Sequence, residues 1–91
     1  MKIDDLTALN QLFTGARQIR LDEGAEKYGQ EDWQRYHPVE MKKLVMDDCY
    51  DLHNAMVKGN VSRAKNLCVD MANRVMMLWG LLIKEEDTKC D

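Results

Sequence analysis

The sequence predicts an all-α fold in a single domain, from its composition, its apolar periodicity and one turn. The 91 residues include one proline and five glycines against seven methionines, so few residues interrupt helices and many can adapt to helix packing. Three stretches repeat apolar residues at the intervals of a helix. Between the second and third, Lys58-Gly59-Asn60 combines a helix-ending glycine with a helix-capping asparagine. We therefore expect a three-helix subunit with an antiparallel hairpin, about 38–58 and 60–84.

The first predicted helix begins near Asp4 or Asp5, either of which can cap it, and ends at Gly29. Residues 30–37 form a polar connector. Pro38 begins the second helix, because proline is tolerated in a first turn, where its missing N–H costs nothing.

The third helix is apolar around more than one face, which is typical of a helix with more than one neighbour. A chain of this length has a marginal core of its own. We therefore expect a homodimer or homotetramer to complete a helical bundle. Residues 84–91 are expected to be a frayed tail of the single domain 1–91.

Charge and composition argue against several classes of protein. The formal net charge of −3 disfavours a nucleic-acid binder, which normally has a basic footprint. No run approaches the roughly 18 consecutive apolar residues of a membrane span, and acids interrupt the position of a signal peptide. We expect a cytoplasmic protein. The odd set Cys49, Cys68 and Cys90 has no zinc-site spacing, so reduced thiols are expected.

The most informative stretch is an acidic cluster in the second helix. Asp47 and Asp51 lie one turn apart, and Asp48 falls within the apolar stripe, where an unpaired carboxylate is costly. One interpretation is solvated surface charge, with Asp47 and Asp51 paired to Lys43 or another base. The other is a site for a divalent cation, which takes oxygen ligands. Asp70 lies about as far after the turn as these acids lie before it, and this convergence favours the cation.

Several short motifs resemble the MazG-like all-α nucleoside triphosphate pyrophosphohydrolases. Asp47-Asp48-x-x-Asp51 matches in charge the E-E-x-x-E block of that family, and Asp70 matches the last acid of its E-x-x-D block. The run VDMANRVMML (69–78) is similar to a D-V-A-N-x-x-M-M segment of small phage and bacterial members, and EKYGQEDW (26–33) to their K-Y-G-x-x-x-W segment. The resemblance covers roughly residues 25 to 83.

The resemblance implies Mg²⁺-dependent cleavage of an NTP or dNTP to the monophosphate and pyrophosphate, with Mn²⁺ as a substitute ion. Metal ligands would be Asp47, Asp51 and Asp70, with Asp48 as a catalytic residue that positions water or adds a ligand. Residue chemistry assigns substrate contacts to four more positions. Lys27 and Arg74 would meet phosphate, Asn73 lies beside them in the predicted site, and Trp33 would stack on the base or else pack over a helix end.

The sequence departs from the family pattern where the first acid of E-x-x-D is expected, because position 67 is a leucine. Each Glu of the first block is also shortened to Asp, which withdraws the carboxylate by one methylene. The alternative function is therefore a catalytically weak or inactive MazG-like oligomer that acts as a protein-interaction module.

Overall fold

A computed structural model describes residues 4–89, and these form three α-helices with a short 3-10 turn. The helices are α1 (Leu6–Tyr28), α2 (Pro38–Val57) and α3 (Val61–Lys89), and the 3-10 turn is Asp32–Arg35. The predicted all-α fold is confirmed. Because three residues join α2 to α3 and these helices pack along each other, they form the expected antiparallel hairpin.

The ends of the helices are fixed by capping residues that can be recognised in the sequence. The Asp5 carboxylate accepts the Ala8 N–H at 2.8 Å and begins α1, and Gly29 ends it at a φ of 96°. In α2, the His37 ring accepts the Val39 N–H while the Glu40 carboxylate accepts the His37 N–H, a reciprocal capping box. Such caps contribute about 1 kcal/mol each to helix stability.

The turn between α2 and α3 also follows its sequence. Gly59 has a φ of 72°, and the Asn60 side chain accepts the Arg63 N–H at 3.2 Å. At its other end α3 extends to Lys89, five residues past the predicted boundary at 84. Lys and Glu are good helix formers, and the Thr88 hydroxyl donates to the Lys84 carbonyl within this extension. Residues 90 and 91 of the predicted tail lie outside the described residues.

The buried core lies between α2 and α3. Its apolar members are Met41 and Ala55 from α2 with Leu67 and Leu81 from α3. α1 contributes no buried residue and lies along α3. The connector tryptophan, Trp33, packs against α3 at Gly80, where an added Cβ would lie 3.0 Å from the ring.

Much apolar surface is exposed where α1 and α3 meet. A groove of about 560 Å³ opens there, which we call the apolar groove. Its lining is Phe13, Arg17, Cys68, Met71, Ala72, Val75, Met76 and Trp79. Helix α3, over Val61–Thr88, is long and apolar enough to cross a membrane by length and composition alone. Core helices of soluble proteins meet the same criterion.

Candidate acidic site between the hairpin helices

Asp48 is a buried charge held by an ion pair across the hairpin. Only 6% of the residue is exposed, and its Oδ1 accepts from Arg74 Nη1 at 2.7 Å. Its Oδ2 is buried and has no hydrogen-bond partner. An oxygen of this kind lowers the stability of the fold, because it has lost its hydrogen bonds to water and has gained none within the protein. Asp48 lies in the buried stripe of α2 as predicted, whereas its neutralisation by Arg74 was not predicted.

The pKa of Asp48 shows which charges surround it. Burial raises this pKa above its usual range, and the nearby Arg74 guanidinium opposes the rise. The carboxylates of Asp70 and Asp51 raise it further by repulsion. Three of the predicted acids, one from α3 and two from α2, are therefore within electrostatic reach of one another.

Asp47 differs from these three because it is exposed and is not among the charges that shift the pKa of Asp48. In the described part of the chain neither Asp47 nor Asp51 forms an ion pair with Lys43 or another base. The pairing with a base that this interpretation expected is absent from the described residues, while the exposure of Asp47 agrees with a solvated surface charge.

Asp70 is paired with a residue of α1 that the sequence analysis did not assign to the site. Arg20 Nε and Nη2 donate to the two carboxylate oxygens of Asp70, each at 2.9 Å. This fork geometry is the strongest arrangement available to a guanidinium and a carboxylate. The available signal was the position of Arg20 three residues after Arg17, which places both arginines on one face of α1.

Asn73 joins α1 to α3. It is 5% exposed, and its side chain accepts from Arg17 Nε at 3.0 Å while donating to the Arg17 carbonyl at 3.2 Å. Both polar ends of the amide are therefore occupied within the chain. Its predicted contact with substrate stays a prediction.

Trp33 and Lys27 lie on other surfaces. The Trp33 ring packs on α3, and Lys84 Nζ lies 5.5 Å from its centroid. Lys27 is exposed, with its Nζ 5.1 Å from the Tyr28 ring. Neither residue has a hydrogen bond or ion pair to the four aspartates within residues 4–89, so the structure brings Asp48, Asp51, Asp70 and Arg74 together and leaves these two apart.

The donor set suits a divalent cation in part. Within residues 4–89 no group of three or more His, Cys, Asp or Glu side chains is arranged to hold a metal ion. Guanidinium groups engage one oxygen of Asp48 and both oxygens of Asp70. The orphaned Oδ2 of Asp48 and the unpaired Asp51 carboxylate are the oxygens that fit an oxygen-seeking cation.

Leu67 explains part of this arrangement. The residue is 7% exposed and belongs to the core between α2 and α3. A leucine here adds apolar packing and no charge that would need a partner. Two arginines then suffice to neutralise Asp48 and Asp70.

Comparisons with known proteins add no relative to this description. No protein-family model, no curated protein and no solved structure matches the chain.

Proposed function

We propose that the protein is a Mg²⁺-dependent nucleoside triphosphate pyrophosphohydrolase of the MazG-like kind, in the cytoplasm. The observation that carries this proposal is the convergence of Asp48, Asp51 and Asp70 across the hairpin, with an orphaned oxygen on the buried Asp48. Carboxylates from two helices at one level of a hairpin are an economical source of oxygen ligands. The sequence resemblance adds the reaction class.

Asp47, Asp51 and Asp70 would hold Mg²⁺ or Mn²⁺ in this proposal, which requires Arg20 to release Asp70 and the exposed Asp47 side chain to turn toward the other two acids. The bound ion would neutralise phosphoryl charge and activate water. Asp48 would position that water, and Arg74, now bound to Asp48, has a guanidinium suited to phosphate oxygens. Lys27, Asn73 and Trp33 would contact the nucleotide only after a rearrangement of the surfaces described above.

The test is an assay of pyrophosphate release from each NTP and dNTP with Mg²⁺ or Mn²⁺. We expect Asp51→Asn to lower the rate at least about a hundredfold, because it removes a ligand from a charge-stabilised transition state. Asp87→Asn, an exposed acid near the end of α3, is the matched control and should retain the rate. Absence of turnover with every nucleotide, or equal rates for the two variants, would contradict the proposal.

A second candidate is the weak or inactive oligomer that serves as an interaction module. The arginine pairs that neutralise Asp48 and Asp70, together with the apolar groove, favour it. A ligand that binds only the folded state must raise the melting temperature. A melting temperature unchanged by millimolar Mg²⁺ or Mn²⁺, with a solution mass above that of one chain, would support this candidate over the enzyme.

A further inference from the structure

A second groove lies where the first turns of α3 face α1, and its walls are mainly polar. Its volume is about 360 Å³. Arg20 of α1 lines it together with Ser62, Arg63, Asn66 and Asp70 of α3. We call it the polar groove. It is distinct from the apolar groove and shares one residue, Asp70, with the acidic cluster.

The polar groove holds an arginine that has no partner. Arg63 is exposed, and within residues 4–89 its guanidinium makes no hydrogen bond or ion pair. Only its backbone N–H is engaged, by the Asn60 side chain. A guanidinium offers five donors in a planar fork that matches phosphate oxygens. Arg63 is therefore free to bind an oxyanion in the groove.

The second arginine is already oriented. Arg20 is held by its two bonds to Asp70, which also lines the groove, and its Nη1 lies 3.5 Å from Glu23 Oε2. Asp70 and Glu23 therefore balance the charge of Arg20, and the unpaired guanidinium of Arg63 is the positive charge that the groove offers to a ligand. The Ser62 hydroxyl and the Asn66 amide add neutral donors beside them.

We infer that the polar groove binds the phosphate chain of a soluble polyphosphate ligand, with Arg63 as its main contact. The inference rests on the proposed function for the nature of that ligand, a nucleoside triphosphate. A phosphate chain bound at Arg63 lies in the groove that Asp70 also lines, and so reaches the acidic cluster. The sequence analysis assigned phosphate contact to Lys27 and Arg74, whereas the groove assigns it to Arg63.

The test is calorimetric titration of the full chain with inorganic tripolyphosphate in EDTA, where no metal contributes. We expect saturable binding that Arg63→Gln weakens about tenfold, since one charge-assisted contact is lost. Arg63→Lys, which retains the charge without the fork, should fall between the two. Lys65→Gln is the matched control, because it removes a positive charge from an exposed residue of α3 that does not line the groove. It should change the affinity by less than about twofold.

Three outcomes would overturn the inference. They are no binding of tripolyphosphate, equal weakening by Arg63→Gln and Lys65→Gln, and tighter binding of a single-stranded oligonucleotide than of tripolyphosphate. Because no turnover is measured, the two proposals fail separately. Tripolyphosphate binding without nucleotide hydrolysis would support the phosphate site in the polar groove and contradict the proposed enzyme activity. Hydrolysis without tripolyphosphate binding would support the enzyme activity and contradict the phosphate site.

Discussion

At the scale of single residues, Asp48 is the most consequential side chain in the chain. It is a buried carboxylate with one oxygen paired to Arg74 and the other orphaned. Burial raises its pKa despite the arginine. An acid with a higher pKa in the folded state binds its proton more tightly when folded, so this contribution to stability falls as pH rises from the unfolded-state pKa through the folded-state pKa.

Removal of the arginine should therefore destabilise the fold in a pH-dependent way. We expect Arg74→Met to lower the free energy of unfolding by about 3 kcal/mol near neutral pH, because it leaves a buried charge without a partner. The loss should shrink at an acidic pH below the raised pKa of Asp48, where the protonated carboxyl needs no partner. Urea unfolding followed by circular dichroism at both pH values measures it.

Two further variants make this prediction specific. Asp48→Asn in the Arg74→Met background removes the unpaired charge and should recover more than half of the loss. Lys43→Met, an exposed base of α2 without an ion pair, should cost less than about 0.5 kcal/mol at either pH. If Arg74→Met lowered the free energy of unfolding equally at both pH values, Arg74 would not be stabilising the protein by neutralising buried Asp48.

At the scale of elements, α1 is joined to the hairpin by polar contacts rather than by a core. It has no buried residue, and its bonds to α3 come from Arg17 and Arg20. Such a helix opens more easily than helices that share a core. We expect Arg17→Ala to lower the opening free energy of α1 by about 1–2 kcal/mol, measured as amide hydrogen exchange across residues 6–28.

The expected pattern is local. Exchange in α2 and α3 should change little, because the buried apolar residues of these helices come from α2 and α3 and none from α1. Gln18→Ala removes a side chain that bonds only within α1, to Asp22, and serves as the matched control. Uniform acceleration across all three helices would mean that α1 and the hairpin unfold as one unit.

At the scale of the whole molecule, the apolar groove leaves large apolar side chains exposed side by side, a feature of association surfaces. Trp79 is 65% exposed and Val75 is 48% exposed, both beside the groove. The predicted homo-oligomer would cover them. We expect sedimentation to give a mass above the 10.6 kDa of one chain, and Val75→Glu and Trp79→Glu to return it to that value.

The control for this experiment is an apolar residue of equal exposure elsewhere. Met56 on α2 is 66% exposed and does not line the groove. Met56→Glu should leave the oligomer intact. If all three variants dissociated the oligomer alike, the association surface would not be specific to the groove. If the native chain were monomeric, the predicted homo-oligomer would be wrong.

The sequence alone determined the helices, because their ends depend on local chemistry. Asp5, Gly29, Pro38 and Gly59 act within one turn of their own positions, so they can be read without knowledge of the fold. Even the level at which Asp70 meets Asp48 followed from counting residues on either side of a short turn. The extension of α3 to Lys89 was missed because helix ends without a glycine or proline carry a weak signal.

Only the tertiary structure decided which charges neutralise the acids. The partners of Asp48 and Asp70 are 26 and 50 residues away in sequence, and a long arginine side chain can reach many positions. Helical periodicity does not predict such a pair. The pair depends on how the helices pack against each other and on which charges this packing removes from water. The same packing decided that Trp33 contacts Gly80 and that Arg63 stays free at the polar groove.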